Sequence, residues 1–256
     1  MKKIILLSAI ALYSVTAFAQ KGSIKGSIVA GVNVAIPVGA EVTGARADIT
    51  TSETNAQKNG GTYSGSITPL IGIHLGGTVF YFITDKIAVG SGVIFSQRGY
   101  KIKTSSEYPK TFQYGNPSQT FAYSTKSSSS EVWHYNYMDI PITGKFYLSN
   151  NFYINPGLQF CLLVSDSWTG ESEDADIDTT PNPPVVKSTT TTTTGGAYGK
   201  GLLIGFQLGA GVSGKKIGFN FGISKTGRPA IFGLYGYQNL TLQAGLTYSF
   251  DLKKGK

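Results

Sequence analysis

The chain has 256 residues, of which 14% are charged, whereas roughly a quarter of the residues in ordinary soluble domains carry a charge. It contains 33 glycines, 15 tyrosines and 14 phenylalanines, but one cysteine and two histidines. A single cysteine excludes an internal disulfide framework and a cysteine-based zinc site. The formal charge of +8 is spread along the chain, without the basic stripe typical of nucleic-acid-binding proteins. We therefore predict no enzyme, no cofactor, no metal site and no nucleic-acid partner.

The first residues have the pattern of an export signal. Met1-Lys2-Lys3 is a short basic region, and the apolar stretch that follows is too short to cross a bilayer. Ala17-Phe18-Ala19 then matches the small-residue pattern of a cleavage site. We predict a signal peptide at residues 1–19, cleaved between Ala19 and Gln20, and an exported domain at residues 20–256.

Apolar and polar residues alternate along most of the remaining chain. From Leu240 to Phe250, every even position is apolar or aromatic, and every odd position is Thr, Gln, Gly or Ser. Successive side chains of a β-strand point to opposite faces, so this alternation predicts a strand with one apolar face. The alternation recurs in eight segments, at residues 24–36, 70–83, 86–99, 132–148, 152–164, 202–212, 217–224 and 240–250. No segment carries a sustained helical apolar stripe, so we predict an all-β protein.

Short and long connections alternate between these segments. Tight turns are predicted at 84–85, 149–151 and 213–215, and long polar loops at 37–68, 100–131, 165–199 and 225–239. Outer-membrane barrels have short periplasmic turns, long external loops and small polar side chains in a narrow lumen. We predict an eight-stranded antiparallel up-and-down transmembrane β-barrel with long extracellular loops, surrounded by outer-membrane lipid. The alternative is a soluble secreted lipocalin-like binding barrel, which would bury its apolar faces.

Several segments also carry a family resemblance. They are Gly72-Ile73-His74-Leu75-Gly76-Gly77, Asp85-Lys86-Ile87-Ala88-Val89, Ser96-Gln97-Arg98-Gly99, Tyr137-Met138-Asp139-Ile140-Pro141-Ile142, Phe152-Tyr153-Ile154-Asn155-Pro156-Gly157 and Leu246-Thr247-Tyr248-Ser249-Phe250. In these segments the chain resembles Bacteroidetes outer-membrane β-barrel proteins of the PorT-like type, with Asp139 where that family has Glu. The resemblance extends over residues 70–250 and implies the same barrel fold and an outer-membrane location.

Three charged residues fall on the predicted polar faces. Arg98 lies in the third segment, and Asp139 and Lys145 lie in the fourth. A charge in a narrow lumen needs a partner because its hydration is incomplete. We therefore predict a lumen charge network in which Asp139 is the anionic centre and Arg98 and Lys145 are the cations. We interpret it as a structural plug, and the alternative is a gated polar path.

Aromatic residues are predicted at the short-turn end of the apolar faces. In outer-membrane barrels such residues lie at the membrane interface. We predict a periplasmic aromatic girdle made of Tyr81, Phe146, Phe152, Tyr248 and Phe250.

The long loops are the candidate recognition surfaces. Aromatic residues in 100–131 indicate either prolonged strands or a binding surface, and we favour prolonged strands. Residues 165–199 are acidic and then rich in Pro and Thr; they lack the spacing of a calcium loop, so we predict solvated disorder. His74 and His134 have no acid in a defined relation to them, so no catalytic residue is predicted.

The function predicted from these features is a structural or surface-interaction role. The lumen of eight strands is wide enough only for side chains, and unidentified protein or surface partners would bind the extracellular loops. The alternative is a narrow-path, porin-like transporter or a secretion-accessory barrel.

Overall fold

The computed structural model describes residues 21–114, 119–178, 185–195, 202–227 and 238–253. The predicted signal peptide at residues 1–19 lies outside these ranges. The described residues form ten β-strands and one α-helix: β1 Ile24–Val38, α1 Ala40–Lys58, β2 Thr62–Pro69, β3 Ile71–Phe82, β4 Ile87–Tyr114, β5 Gln119–Tyr147, β6 Phe152–Asp178, β7 Val185–Gly195, β8 Leu202–Ser213, β9 Ile217–Gly227 and β10 Gln238–Lys253.

Eight of these strands pair in a closed antiparallel ring. Its order is β1, β3, β4, β5, β6, β8, β9 and β10, and β10 pairs with β1 again. The pairing of β1 with β10 closes the ring and keeps one register from Lys25↔Asp251 to Val38↔Gln238. The register shifts only between Ile24 and Lys25. A closed ring leaves no unpaired edge. The predicted all-β antiparallel fold is confirmed, and each predicted alternating segment supplies one strand of the ring.

The three short connections lie at one end of the ring, which we call the short-turn end. Backbone hydrogen bonds close each turn: Ile83 N donates to Ile87 O, Leu148 N to Phe152 O, and Gly214 N to Ile217 O, each over 2.9 Å between nitrogen and oxygen. The predicted tight turns are therefore present at these positions.

At the opposite end, five strands continue beyond the ring as one sheet. β2 runs almost directly into β3, and both pair with β4, from Thr62↔Glu107 down to Phe82↔Ala88. β7 pairs with the part of β6 that is farthest from the short-turn end, from Trp168↔Gly195 to Asp178↔Val185. We call β2, β7 and residues 100–114, 119–135 and 166–178 the sheet extension. Within the predicted loop 100–131, residues 100–114 and 119–131 thus prolong β4 and β5, which confirms the favoured interpretation for these residues, and 115–118 lie outside the described ranges.

The prediction of solvated disorder at 165–199 is wrong for residues 165–178 and 185–195. These residues form a hairpin arm in which the run Thr189–Thr194 pairs with the acidic part of β6. Threonine is β-branched and favours strands, and prolonged β5 supplies a neighbour for the acidic segment.

The predicted loop 37–68 contains α1 and β2. Val42, Ile49 and Ala56 follow one another at intervals of two helical turns; Val42 and Ala56 are buried. Ile49 lies against Gly65 of β2, where a Cβ atom would come within 2.8 Å of its side chain. One apolar residue every two turns is too sparse to give a helical stripe in the sequence. No helix among the described residues is long and apolar enough to cross a membrane.

The two faces of the ring have opposite chemistry. Its outer face is apolar and exposed, with Ile71 at 78%, Phe206 at 75% and Leu246 at 60% exposure. Its inner face buries polar side chains such as Asn239 and Thr241. A soluble barrel buries its apolar face, so the structure contradicts the lipocalin-like alternative.

Candidate functional site

A buried ion pair lies inside the lumen, between the neighbouring strands β4 and β5 of the ring. Arg98 of β4 and Asp139 of β5 are 2% and 1% exposed, and Arg98 Nη2 donates a hydrogen bond to Asp139 Oδ2. An ion pair taken out of water is stable only when both charges have further polar partners. The structure brings these two predicted residues together.

Side chains from three other positions complete the surroundings of the guanidinium. Arg98 Nε donates to Ser96 Oγ over 3.3 Å, and Nη1 donates to Cys161 Sγ over 3.6 Å. The guanidinium carbon lies 4.8 Å from the centroid of the Tyr137 ring, a favourable distance for a cation–π contact. Together with Asp139, these residues form what we call the lumen plug.

Asn33 of β1 connects the plug to a strand two places away from β4 in the ring. Its Nδ2 atom donates to Ser96 Oγ over 3.1 Å and to the carbonyl oxygen of Ile73 over 3.3 Å. Ser96 Oγ therefore accepts from both Asn33 and Arg98. Through these contacts the plug and Asn33 link β1, β3, β4, β5 and β6, which are consecutive strands of the ring, and their buried side chains occupy the lumen at this height.

Lys145 is not part of this cluster. Its ammonium lies over two aromatic rings, 4.0 Å from the centroid of Phe80 and 4.7 Å from that of Tyr153. Lys145 and Asp139 share a face of β5 but are six residues apart, which corresponds to roughly 20 Å along a strand. The predicted three-residue network is corrected to one buried pair and one separate lysine.

The pairing between β4 and β5 explains the geometry of the buried pair. Asp139 lies directly opposite Ile94, and Arg98 lies opposite Tyr135. The ion pair is therefore a diagonal contact that the long arginine side chain reaches along the lumen. The partners Asn33, Ser96 and Cys161 lie on the predicted polar faces. The alternation that assigns these faces does not show which side chains of different strands are in contact.

His74 also faces the lumen, as its position in the second predicted strand implied. It is 4% exposed, and its imidazole occupies space left by glycines on two neighbouring strands. A Cβ atom at Gly31 would lie 2.7 Å from His74 Cε1, and one at Gly245 would lie 2.9 Å from Nε2. Among the described residues, no group of three His, Cys, Asp or Glu side chains could hold a metal ion.

Stacked aromatic rings lie on the side of the plug toward the sheet extension. Trp133 stacks on Trp168 at 5.7 Å between ring centroids, on Tyr100 at 6.3 Å and on Tyr135 at 6.5 Å. Trp133 Nε1 also donates to a carboxylate oxygen of Glu131 over 3.3 Å. Of these rings, Tyr100 and Tyr135 pack against the buried cluster that contains Tyr137 and Cys161 of the plug.

The five residues of the predicted girdle lie on the outer face near the short-turn end. They are between 39% and 49% exposed: Tyr81, Phe146, Phe152, Tyr248 and Phe250. Their position agrees with a girdle, and their role at a membrane interface stays a prediction.

Residues 57–251 match the family model of the outer membrane protein beta-barrel domain. The chain belongs to this family. Membership explains the apolar outer face of the ring as the lipid-facing surface, and the protein is an outer-membrane β-barrel. The match is broader than the PorT-like resemblance of the sequence motifs, which stays a prediction.

Solved structures of outer-membrane proteins are similar to this barrel at low identity. Ail, the attachment invasion locus protein of Yersinia pestis, is 9% identical over 90% of this chain and 100% of that chain, with a TM-score of 0.33. OprG from Pseudomonas aeruginosa is 11% identical over 92% and 99% of the two chains, with a TM-score of 0.25. A search of curated proteins found no match.

Proposed function

We propose that this protein is a closed outer-membrane barrel that displays the sheet extension at the cell surface, in a structural or surface-interaction role. The observation that carries the proposal is strand length: β4, β5 and β6 have 28, 29 and 27 residues. A strand crosses the hydrocarbon core with about 9–11 residues. Roughly 17 residues of each strand, or about 55 Å, are therefore left outside the core.

The orientation follows from the two ends of the ring. Outer-membrane barrels have short periplasmic turns and long external loops, so the short-turn end faces the periplasm and the sheet extension faces outward. The partners are then outer-membrane lipid around the ring and an unidentified protein or surface ligand on the extension.

Cysteine labelling on intact cells tests the orientation. In a Cys161→Ser background, a membrane-impermeant maleimide should modify Thr191→Cys on the extension but not Asn150→Cys at the short-turn end. Permeabilised cells, in which both positions should react, provide the control. Labelling of Asn150→Cys alone on intact cells would contradict the proposed display.

The lumen plug supports a closed barrel rather than a transporter. Arg98 and Asp139 pair inside the lumen, and Tyr100 and Tyr135 pack against the buried cluster that contains Tyr137 and Cys161 of the plug. The wild-type protein should give no steady conductance in planar bilayers. The narrow-path alternative predicts channels, and it also predicts that Asp139→Ala raises conductance while thermal stability stays nearly unchanged.

Export with removal of residues 1–19 is part of the proposal. Mass spectrometry of protein from outer-membrane fractions should find Gln20 as the first residue. An intact Met1 in that fraction would contradict cleavage without contradicting the barrel.

A further inference from the structure

The lumen contains a cavity between the plug and the short-turn end, which we call the lower cavity. Its volume is about 80 Å³. Its polar lining includes Lys145, Thr143, Asn155, Gln207, Gln243 and Thr247. A water molecule needs only about 15 Å³ of such volume, so the cavity has room for a small polyatomic ligand.

Lys145 gives the lower cavity a positive charge. The described residues that line the cavity include no aspartate or glutamate to balance this charge. The ammonium of Lys145 contacts the faces of Phe80 and Tyr153, which attract a cation but do not neutralise it. Because a confined charge with incomplete hydration is costly, this cavity favours a bound anion.

Uncharged polar groups point into the same space. Thr247 and His74 are 7% and 4% exposed, and within the described part of the chain Thr247 Oγ1 and His74 Nδ1 have no hydrogen-bond partner. The side-chain amides of Gln207 and Gln243 also line the cavity. A hydroxyl, amides and an ammonium can all donate hydrogen bonds, which is the donor set that an oxyanion needs.

A second, smaller cavity of about 20 Å³ lies between the lower cavity and the short-turn end and shares Lys145 with it. Its lining also includes Lys25 and Lys215, and no carboxylate is among the described residues that line it. Asp251, the carboxylate beside Lys25, is 4.0 Å away and its side chain is 51% exposed. Clefts lined by charges of one sign concentrate counter-ions, so this end of the lumen favours anions over cations. The plug lies on the other side of the lower cavity.

We propose that the lower cavity is a blind binding pocket for a small oxyanion, a phosphate or a carboxylate, that enters from the short-turn end and pairs with Lys145. The pocket is independent of the proposed surface role, because its residues lie on the opposite side of the plug from the sheet extension.

Binding of inorganic phosphate to the full chain refolded in detergent tests the proposal. Titration at constant ionic strength should broaden the ³¹P signal of phosphate saturably. Lys145→Gln should weaken this binding at least tenfold, whereas Lys86→Gln should leave it unchanged. Lys86 is exposed on a turn at the same end, so the control carries the same change of net charge. Competition with acetate shows whether carboxylates share the pocket.

A second variant separates loss of the pocket from loss of the fold. Gln243→Glu places a carboxylate in the cavity, which should exclude phosphate while the protein keeps the heat-modifiable gel shift of a folded barrel. Saturable binding that is equal in wild type, Lys145→Gln and Gln243→Glu would overturn the proposal. So would absence of saturable phosphate and acetate binding to the folded wild-type protein, which would mean that water alone fills the cavity.

Discussion

Strands β4 and β5 carry two cross-strand ion pairs in different regions of the molecule. Arg98 and Asp139 pair inside the ring with side-chain exposures of 0% and 1%, whereas Glu107 and Lys126 pair on the sheet extension with exposures of 44% and 49%. The chemistry is the same, but water screens only the second pair. Burial, rather than the presence of an ion pair, therefore decides how much free energy of unfolding is lost when one partner is substituted.

The largest expected effect is that of Asp139→Ala in the lumen plug. Removing the carboxylate leaves the Arg98 guanidinium buried without a counter-charge, which costs about 3 kcal/mol. Urea unfolding from detergent or lipid bilayers would measure this loss in the free energy of unfolding. Asp139→Asn keeps the shape of the side chain and should lose less of the free energy of unfolding. A loss below that of an exposed substitution such as Ser128→Ala would contradict the structural role of the plug.

A smaller effect is expected for Ser96→Ala. Ser96 Oγ accepts hydrogen bonds from both Arg98 Nε and Asn33 Nδ2, so its removal takes an acceptor from two buried donors, of which Asn33 Nδ2 keeps its hydrogen bond to the Ile73 carbonyl oxygen. We expect a loss of about 2 kcal/mol in the free energy of unfolding. Ser128→Ala removes an equal hydroxyl from an exposed position of the same sheet and serves as the control. Equal stability of the two variants would show that the hydrogen bonds to Ser96 contribute nothing net.

The same comparison shows what the sequence can predict. Alternation assigns each side chain to a face, and it placed Arg98 and Asp139 correctly in the lumen because this pattern is local. It does not assign a height within the lumen. Lys145 shares a face with Asp139 but lies roughly 20 Å nearer the short-turn end. Asn33 contacts Ser96 because of the register in which β1, β3 and β4 pair.

The alternation of apolar and polar residues is weaker in the sequence of the sheet extension than in the strands of the ring. Strands of the ring separate lipid from a polar lumen, so their apolar positions alternate. In the hairpin arm every residue from Val186 to Thr194 is exposed to solvent. Without an apolar face, its pattern resembles that of a disordered segment. Helix α1 was missed for a related reason, because three apolar contacts at Val42, Ile49 and Ala56 do not form a continuous stripe.

The smallest expected effect concerns the exposed pair on the extension. Ser124 Oγ donates a hydrogen bond to Glu107 Oε1 over 3.0 Å, and Lys126 Nζ lies 3.2 Å from Oε2. These contacts hold the pKa of Glu107 below its ordinary value. A carboxyl group with a depressed pKa stabilises the folded state above its unfolded pKa, and this contribution is lost as the pH falls through the folded pKa.

Titration of Glu107 by NMR in detergent checks this interpretation. The wild-type carboxyl should titrate below a glutamate of the unfolded chain, and both Ser124→Ala and Lys126→Ala should move its pKa upward. Lys126→Ala should leave urea unfolding unchanged within error, because water competes for an exposed pair. A stability loss as large as that of Asp139→Ala would mean that the extension holds Glu107 and Lys126 more tightly than their exposure implies, and the contrast between the two regions would fail.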